Sequence, residues 1–127
     1  MNSTRAAHRF DKGRRLRQRA EFQTVFHTGV RVRGRFWTIL VAPGQATRSR
    51  LGIVASKKVG DAVRRNRAKR LIREVFRRTQ NLRAATRVDM VVIPRVELFD
   101  ATFASLEEDY RTVVARCMSR LQGSTSR

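Results

Sequence analysis

The sequence predicts an α+β sandwich with elements in the order αβββαβα, a small mixed sheet packed by helices. Three observations carry this. Short stretches rich in β-branched and aromatic residues occur at 35–42, 51–56 and 88–93. Apolar residues recur at helical spacing over 20–28, 61–79 and 100–121. The chain has 127 residues, is 41% hydrophobic and has no linker long enough to divide it, so one domain with one core is expected.

Taken in order, residues 1–15 read as a flexible basic arm, with Phe10 able to dock or stack. Residues 16–121 form the single domain. Its first helix, 20–28, places Phe22, Val25 and Phe26 on one face, and Gly29 ends it. Residues 30–32 make a short strand broken by Gly34. In the strand at 35–42, alternation sets Phe36, Thr38 and Leu40 on one face and Trp37, Ile39 and Val41 on the other. By that alternation at most one of Phe36 and Trp37 is core, leaving the other to stack on an unpaired base. A polar turn at 43–50 and a strand at 51–56 suggest an antiparallel pair with the preceding strand. Asp61 is placed to cap the helix at 61–79. A linker at 81–87, a buried strand ended by Pro94, an amphipathic helix at 100–121 and a flexible tail at 122–127 complete the chain.

Charge narrows the function. There are 29 basic and 10 acidic residues, a net +19, and 25 of the basic residues are Arg. Residues 1–95 hold 25 basic and 5 acidic residues, or +20, whereas residues 96–127 hold 4 and 5, or −1. A surface so uneven repels itself unless a polyanion neutralises one end of it. The hydrophobic fraction excludes a disordered polycation. The apolar runs are too short to span a bilayer, and the basic N-terminus is not followed by the apolar region of a secretory signal. Cys117 is the only cysteine, so no intrachain disulfide forms, and a cytoplasmic protein is expected.

The strongest local signal is residues 57–78, with ten basic and two acidic residues, a net +8. At about 100° per residue, Ala68, Leu71, Ile72, Val75 and Phe76 share one helix face. Asn66, Lys69, Arg70, Arg73 and Arg77 share the opposite one. Arg65, Lys69 and Arg73 are a turn apart and can follow a phosphate backbone, while Asn66 suits a base edge or sugar hydroxyl. A solvated helix face normally mixes Glu among its cations, and this one has almost none. No residue is assigned a catalytic or metal-binding role: His8 and His27 are isolated, and the acids at 97–109 suit a solvated helix face. A structural RNA-binding protein and a DNA-binding module share these features, although a strand, not a helix, precedes the basic helix.

The string Ser56-Lys57-Lys58-Val59-Gly60-Asp61-Ala62-Val63-Arg64-Arg65-Asn66-Arg67-Ala68-Lys69-Arg70-Leu71-Ile72-Arg73-Glu74 closely resembles the signature of the bacterial ribonuclease P protein family. The stretches Arg15-Leu16-Arg17, Glu21 to Phe26 with Gly29, and Arg50 to Ser56 are similar to other parts of that family. The resemblance implies the protein subunit of an endoribonuclease that removes the 5′ leader of precursor tRNA, one protein to one RNA. In such an enzyme the RNA subunit is the catalyst and holds Mg²⁺. It further implies a sandwich with an unusual left-handed crossover, against the usual rule. By the resemblance, Lys57, Lys58, Arg65, Asn66, Arg67, Lys69, Arg70 and Arg73 face the catalytic RNA. A cleft beside the first helix holds the leader, with Phe22 and Phe26, and Lys69 and Arg73 at its edge. Where the family often carries an aromatic residue in the second strand this chain has Leu40, with Phe36 and Trp37 earlier, and these three complete the leader-cleft candidates.

Overall fold

The computed structural model describes residues 15–44, 49–79 and 87–125. The arm at 1–14 with Phe10 and His8, the middle of the turn after the second strand and most of the expected linker at 81–87 lie outside the described residues. The elements are α1 (Arg19–Thr28), β1 (Val30–Arg33), β2 (Trp37–Pro43), β3 (Arg50–Ile53), α2 (Ala62–Arg78), β4 (Val88–Pro94) and α3 (Phe103–Thr125). The order αβββαβα is therefore observed. Single 3₁₀ turns at Lys57–Val59 and Val96–Asp100 precede α2 and α3.

The four strands lie in the order β1-β2-β4-β3. β2 runs antiparallel to β1 and β4, and β3 runs parallel to β4. This corrects the expected β2–β3 hairpin. β4 carries Val88, Met90, Val91 and Val92 fully buried, so its residues are covered on both sheet faces and it takes a central place. β3 is short and stands at the edge, and the parallel β3–β4 pair is joined through α2, as parallel strands require. Beyond β3 the chain at Arg15 and Leu16 adds a single bridge, with the Leu16 amide donating to the Leu51 carbonyl at 3.0 Å.

Helices cover both faces of the sheet. On one, Trp37, Ile39, Val41, Met90 and Val92 pack with Ala68, Ile72, Val75 and Phe76 of α2 and with Leu106, Tyr110, Val113, Val114, Cys117 and Leu121 of α3. On the other, Leu40, Ala42 and Val91 pack under Val25 of α1 and Leu16. α3 continues past Leu121 to Thr125, so the expected tail is helical over most of its length. Buried Leu121 anchors that last stretch, and each further turn costs little once the helix is nucleated. Among the described residues no helix is long and apolar enough to cross a membrane.

Candidate nucleic-acid interface

The basic helix is launched by a short run of residues with distinct tasks. Ser56 Oγ accepts from the Lys58 amide, and buried Val59 anchors the 3₁₀ turn, which leaves Lys57 and Lys58 exposed. Gly60 follows at φ 143°, in the left-handed region where a side chain is strained, and a Cβ there would meet Arg64. Asp61 then caps α2, its carboxylate accepting from the Arg64 amide at 3.0 Å. The apolar stripe fixes the roll of the helix. Ala68, Ile72, Val75 and Phe76 are buried, so the cations face outward as the periodicity predicts.

Those cations, with Asn66 among them, divide into two groups. Asn66, Arg67 and Arg70 are exposed and form an outer surface with Lys57 and Lys58. Arg65, Lys69 and Arg73 are half-buried and form an inner row. Among the described residues, neither group is held in a salt bridge. Arg77 differs: its guanidinium reaches Glu74 at 2.6 Å, so it adds little net charge to the face. Glu74 also raises the Arg77 pKa through that hydrogen bond.

Lys69 and Arg73 of the inner row line a cleft with Arg15, Leu16, Phe22, Leu51, Gly52 and Ile53. Among the described residues no carboxylate lines it. Burial, and then the nearby charge of Arg15, lower the Arg73 pKa, although an Arg remains protonated at neutral pH. Desolvated cations crowded in this way gain when an anion enters. The Phe22 ring lines the same cleft. It seats directly on Gly52, where a Cβ would come within 2.4 Å of the ring. Phe26, one turn on, is 41% exposed. The structure thus brings Phe22, Lys69 and Arg73 to one cleft and leaves Phe26 open to solvent on the same helix.

Three leader-cleft candidates are placed differently. Phe36 and Trp37 are both buried in the core on the opposite sheet face, where Trp37 packs edge-on to Phe36 and to Tyr110, each at 6.0 Å. Simple alternation fails because Phe36 precedes β2 in a bend, so the extended geometry that alternates side chains begins only at Trp37. Leu40 does face α1, but it is sealed beneath that helix and presents no surface for a base.

A group of residues that the sequence did not single out holds α1 in place. Arg50 donates through Nε and Nη2 to the two Asp89 oxygens, at 2.9 and 2.8 Å, and through Nη1 to Glu21 at 2.6 Å. Asp89 raises the Arg50 pKa, chiefly by that hydrogen bond. Glu21 also accepts from the Arg17 and Gln18 amides, and these two bonds, with Arg50 behind them, hold its carboxyl below the usual range. A signal for this group does exist in the chain. Asp89 is a charge within an otherwise apolar strand, and a buried charge demands a partner.

Comparison with known proteins agrees with this architecture. The family model for Ribonuclease P matches residues 10–118. The chain is similar to the ribonuclease P protein component of Desulfatibacillum aliphaticivorans, 44% identical over 68% of this chain and 72% of that protein. It is also similar to that of Clostridioides difficile, 33% identical over 84% of this chain and 94% of that protein. The solved ribonuclease P protein of Thermotoga maritima superposes with a TM-score of 0.72 at 35% identity, covering 80% of this chain and 96% of that one.

Proposed function

The chain belongs to the bacterial ribonuclease P protein family and is a subunit of that endoribonuclease holoenzyme, and from this premise we propose how its surfaces divide the work. The exposed cations of α2, with Lys57 and Lys58, bind the phosphates of the catalytic RNA, and Asn66 contacts a base edge or a sugar hydroxyl. The cleft between Phe22 and the inner row holds the single-stranded 5′ leader of precursor tRNA. Lys69 and Arg73 take its phosphates, and Phe22 and Phe26 supply stacking worth about 1–3 kcal/mol per base. One protein serves one RNA, in the cytoplasm.

The observation that carries this reading is the shared position of Lys69 and Arg73. They sit on the helix whose outer surface suits the catalytic RNA and also line the cleft that suits the leader. A +19 protein there lowers the repulsion between two RNAs brought together.

Mg²⁺ supplies the chemistry from the RNA. The carboxylates on and around α2 are otherwise engaged, because Asp61 caps the helix, Glu74 pairs with Arg77, and Glu21 and Asp89 are held by Arg50. The chain's own residues bind and align.

The test is cleavage of a precursor tRNA by a bacterial ribonuclease P RNA at low Mg²⁺, with and without this protein. Restored cleavage at the mature 5′ end is expected. Binding of the RNA without any effect on cleavage would refute the proposal.

A further inference from the structure

α2 has two flanks as well as an outer surface. One flank carries Lys69 and Arg73 into the cleft. At about 100° per residue, Arg64 lies about 140° round the helix from Lys69 and so belongs to the other flank. There its guanidinium sits over the Phe99 ring, 4.9 Å from the centroid. Phe99 stands in the 3₁₀ turn Val96–Asp100, which buried Leu98 anchors in the core. The stem of Arg64 lies along Gly60, where a Cβ would meet it. The ring covers one side of the guanidinium, and the exposed Arg64 offers the other to solvent. Arg78, on the same flank, shows what a purely structural pair of this kind looks like. Its guanidinium lies over Phe103 and also reaches Glu107, which ties α2 to α3. The Arg64 side chain is in no salt bridge among the described residues.

Among the described residues only three large apolar side chains are exposed, and two of them adjoin this pair in the chain. Val63, 76% exposed, precedes Arg64, and Val96, 46% exposed, opens the turn that holds Phe99. Helical spacing sets Val63 among Asn66, Arg67 and Arg70 on the outer surface. An apolar side chain left in water amid cations gains when a partner covers it. The turn also carries Glu97 and Asp100, both exposed, and these repel a phosphate. The part of a nucleotide that suits this flank is therefore its uncharged base. Guanidinium planes and aromatic rings are the surfaces on which unpaired RNA bases stack.

We propose that the Arg64–Phe99 pair is a stacking platform for one unpaired base of the catalytic RNA, with Val63 against the adjoining sugar. This rests on the assignment of the outer α2 surface to that RNA. It extends the contact onto the Val96–Asp100 turn, in the part of the chain whose net charge of −1 gives it no phosphate-binding role. The flanks of α2 then serve different strands, the leader on the cleft side and the catalytic RNA on the other.

The experiment titrates a bacterial ribonuclease P RNA with the protein, without precursor tRNA, and maps nucleotide mobility with a 2′-hydroxyl acylating reagent. Arg64→Lys keeps the charge and removes the plane. Phe99→Leu keeps an apolar side chain and removes the ring. Each should weaken binding roughly ten-fold, as loss of one stacked base would, with the salt slope unchanged. The double variant should lose little more than either single one, because both act on one platform. One unpaired nucleotide protected by the wild type should regain its reactivity in both. Full affinity in Arg64→Lys, a lowered salt slope in Phe99→Leu, or an unaltered reactivity map would overturn the proposal. If Phe99→Leu melts far below the wild type, Arg64→Lys decides, since that position is exposed. Arg67→Ala separates this site from the reading beneath it. If Arg67→Ala leaves RNA binding unchanged, the outer-surface assignment fails and the platform with it. If Arg67→Ala weakens binding while the other two variants do not, the platform alone fails.

Discussion

Arg50 is the side chain through which α1 is tied to the sheet, and its removal is the sharpest perturbation of the cleft. Replacing it by Met deletes two hydrogen bonds to Asp89 and one to Glu21. The side chains of Arg50, Glu21 and Asp89 are 20%, 26% and 11% exposed. Asp89 therefore suffers most, because it is left as a nearly buried carboxylate facing no cation. Glu21 keeps its two backbone amides. Breaking a buried pair from one side costs about 3–5 kcal/mol, and the remaining exposure of this group places it at the lower end, about 3 kcal/mol. For a chain of this size that lowers the melting temperature by about 10 °C. Thermal and urea unfolding of Arg50→Met, Asp89→Leu and the double variant would measure it. The double variant should recover a good part of the stability, since it removes the orphaned charge. A cost under about 1 kcal/mol for Arg50→Met would sink this account, for that is the behaviour of an ordinary surface ion pair.

Glu21→Gln should destabilise the protein at neutral pH but not in acid. A carboxyl whose folded pKa lies below its ordinary 4.5 contributes stability above that value and loses it as the pH falls through the folded one, so the two unfolding curves should converge in acid, once the pH has passed below the folded value. Arg65→Ala and Arg67→Ala should each weaken binding of the catalytic RNA and reduce its salt slope by about 0.7–0.9 for every phosphate left without its cation, read from a salt titration. Phe36→Ala should cost about 3–5 kcal/mol in a melt yet leave RNA affinity of the folded protein intact, whereas Phe26→Ala should do the reverse. Cys117 donates to the Ile39 carbonyl and is fully buried, which pushes its thiol up to about 11, so a thiol reagent at pH 8 should label the native protein far more slowly than the urea-unfolded one.

Much of the molecule is local in origin and was therefore legible. The cap at Asp61, the apolar stripe of α2 and the cationic surface opposite it follow from helical spacing alone, and each is found where the spacing predicts. The heptad-like run from Leu106 to Leu121 likewise sets the buried face of α3, with Cys117 in phase. The family signature adds the identity of the partner RNA, which no periodicity contains.

Other features depend on residues distant in sequence. The hairpin expected between β2 and β3 is a sound local inference, and it loses because β4, apolar on both faces, needs a neighbour on each side. Phe36 and Trp37 share a core because a bend precedes β2, and alternation holds only within extended chain. The cleft itself arises from Gly52, which admits the Phe22 ring, and from Arg50, which ties together Glu21 and Asp89. The helices, the charged face and the class of polyanion it suits are written in the chain, since they follow from neighbours within a turn. Which aromatic rings stay exposed, and where the cleft lies, emerged only from the assembled fold. Burial is settled by strand order, and strand order by which surfaces must be hidden from water.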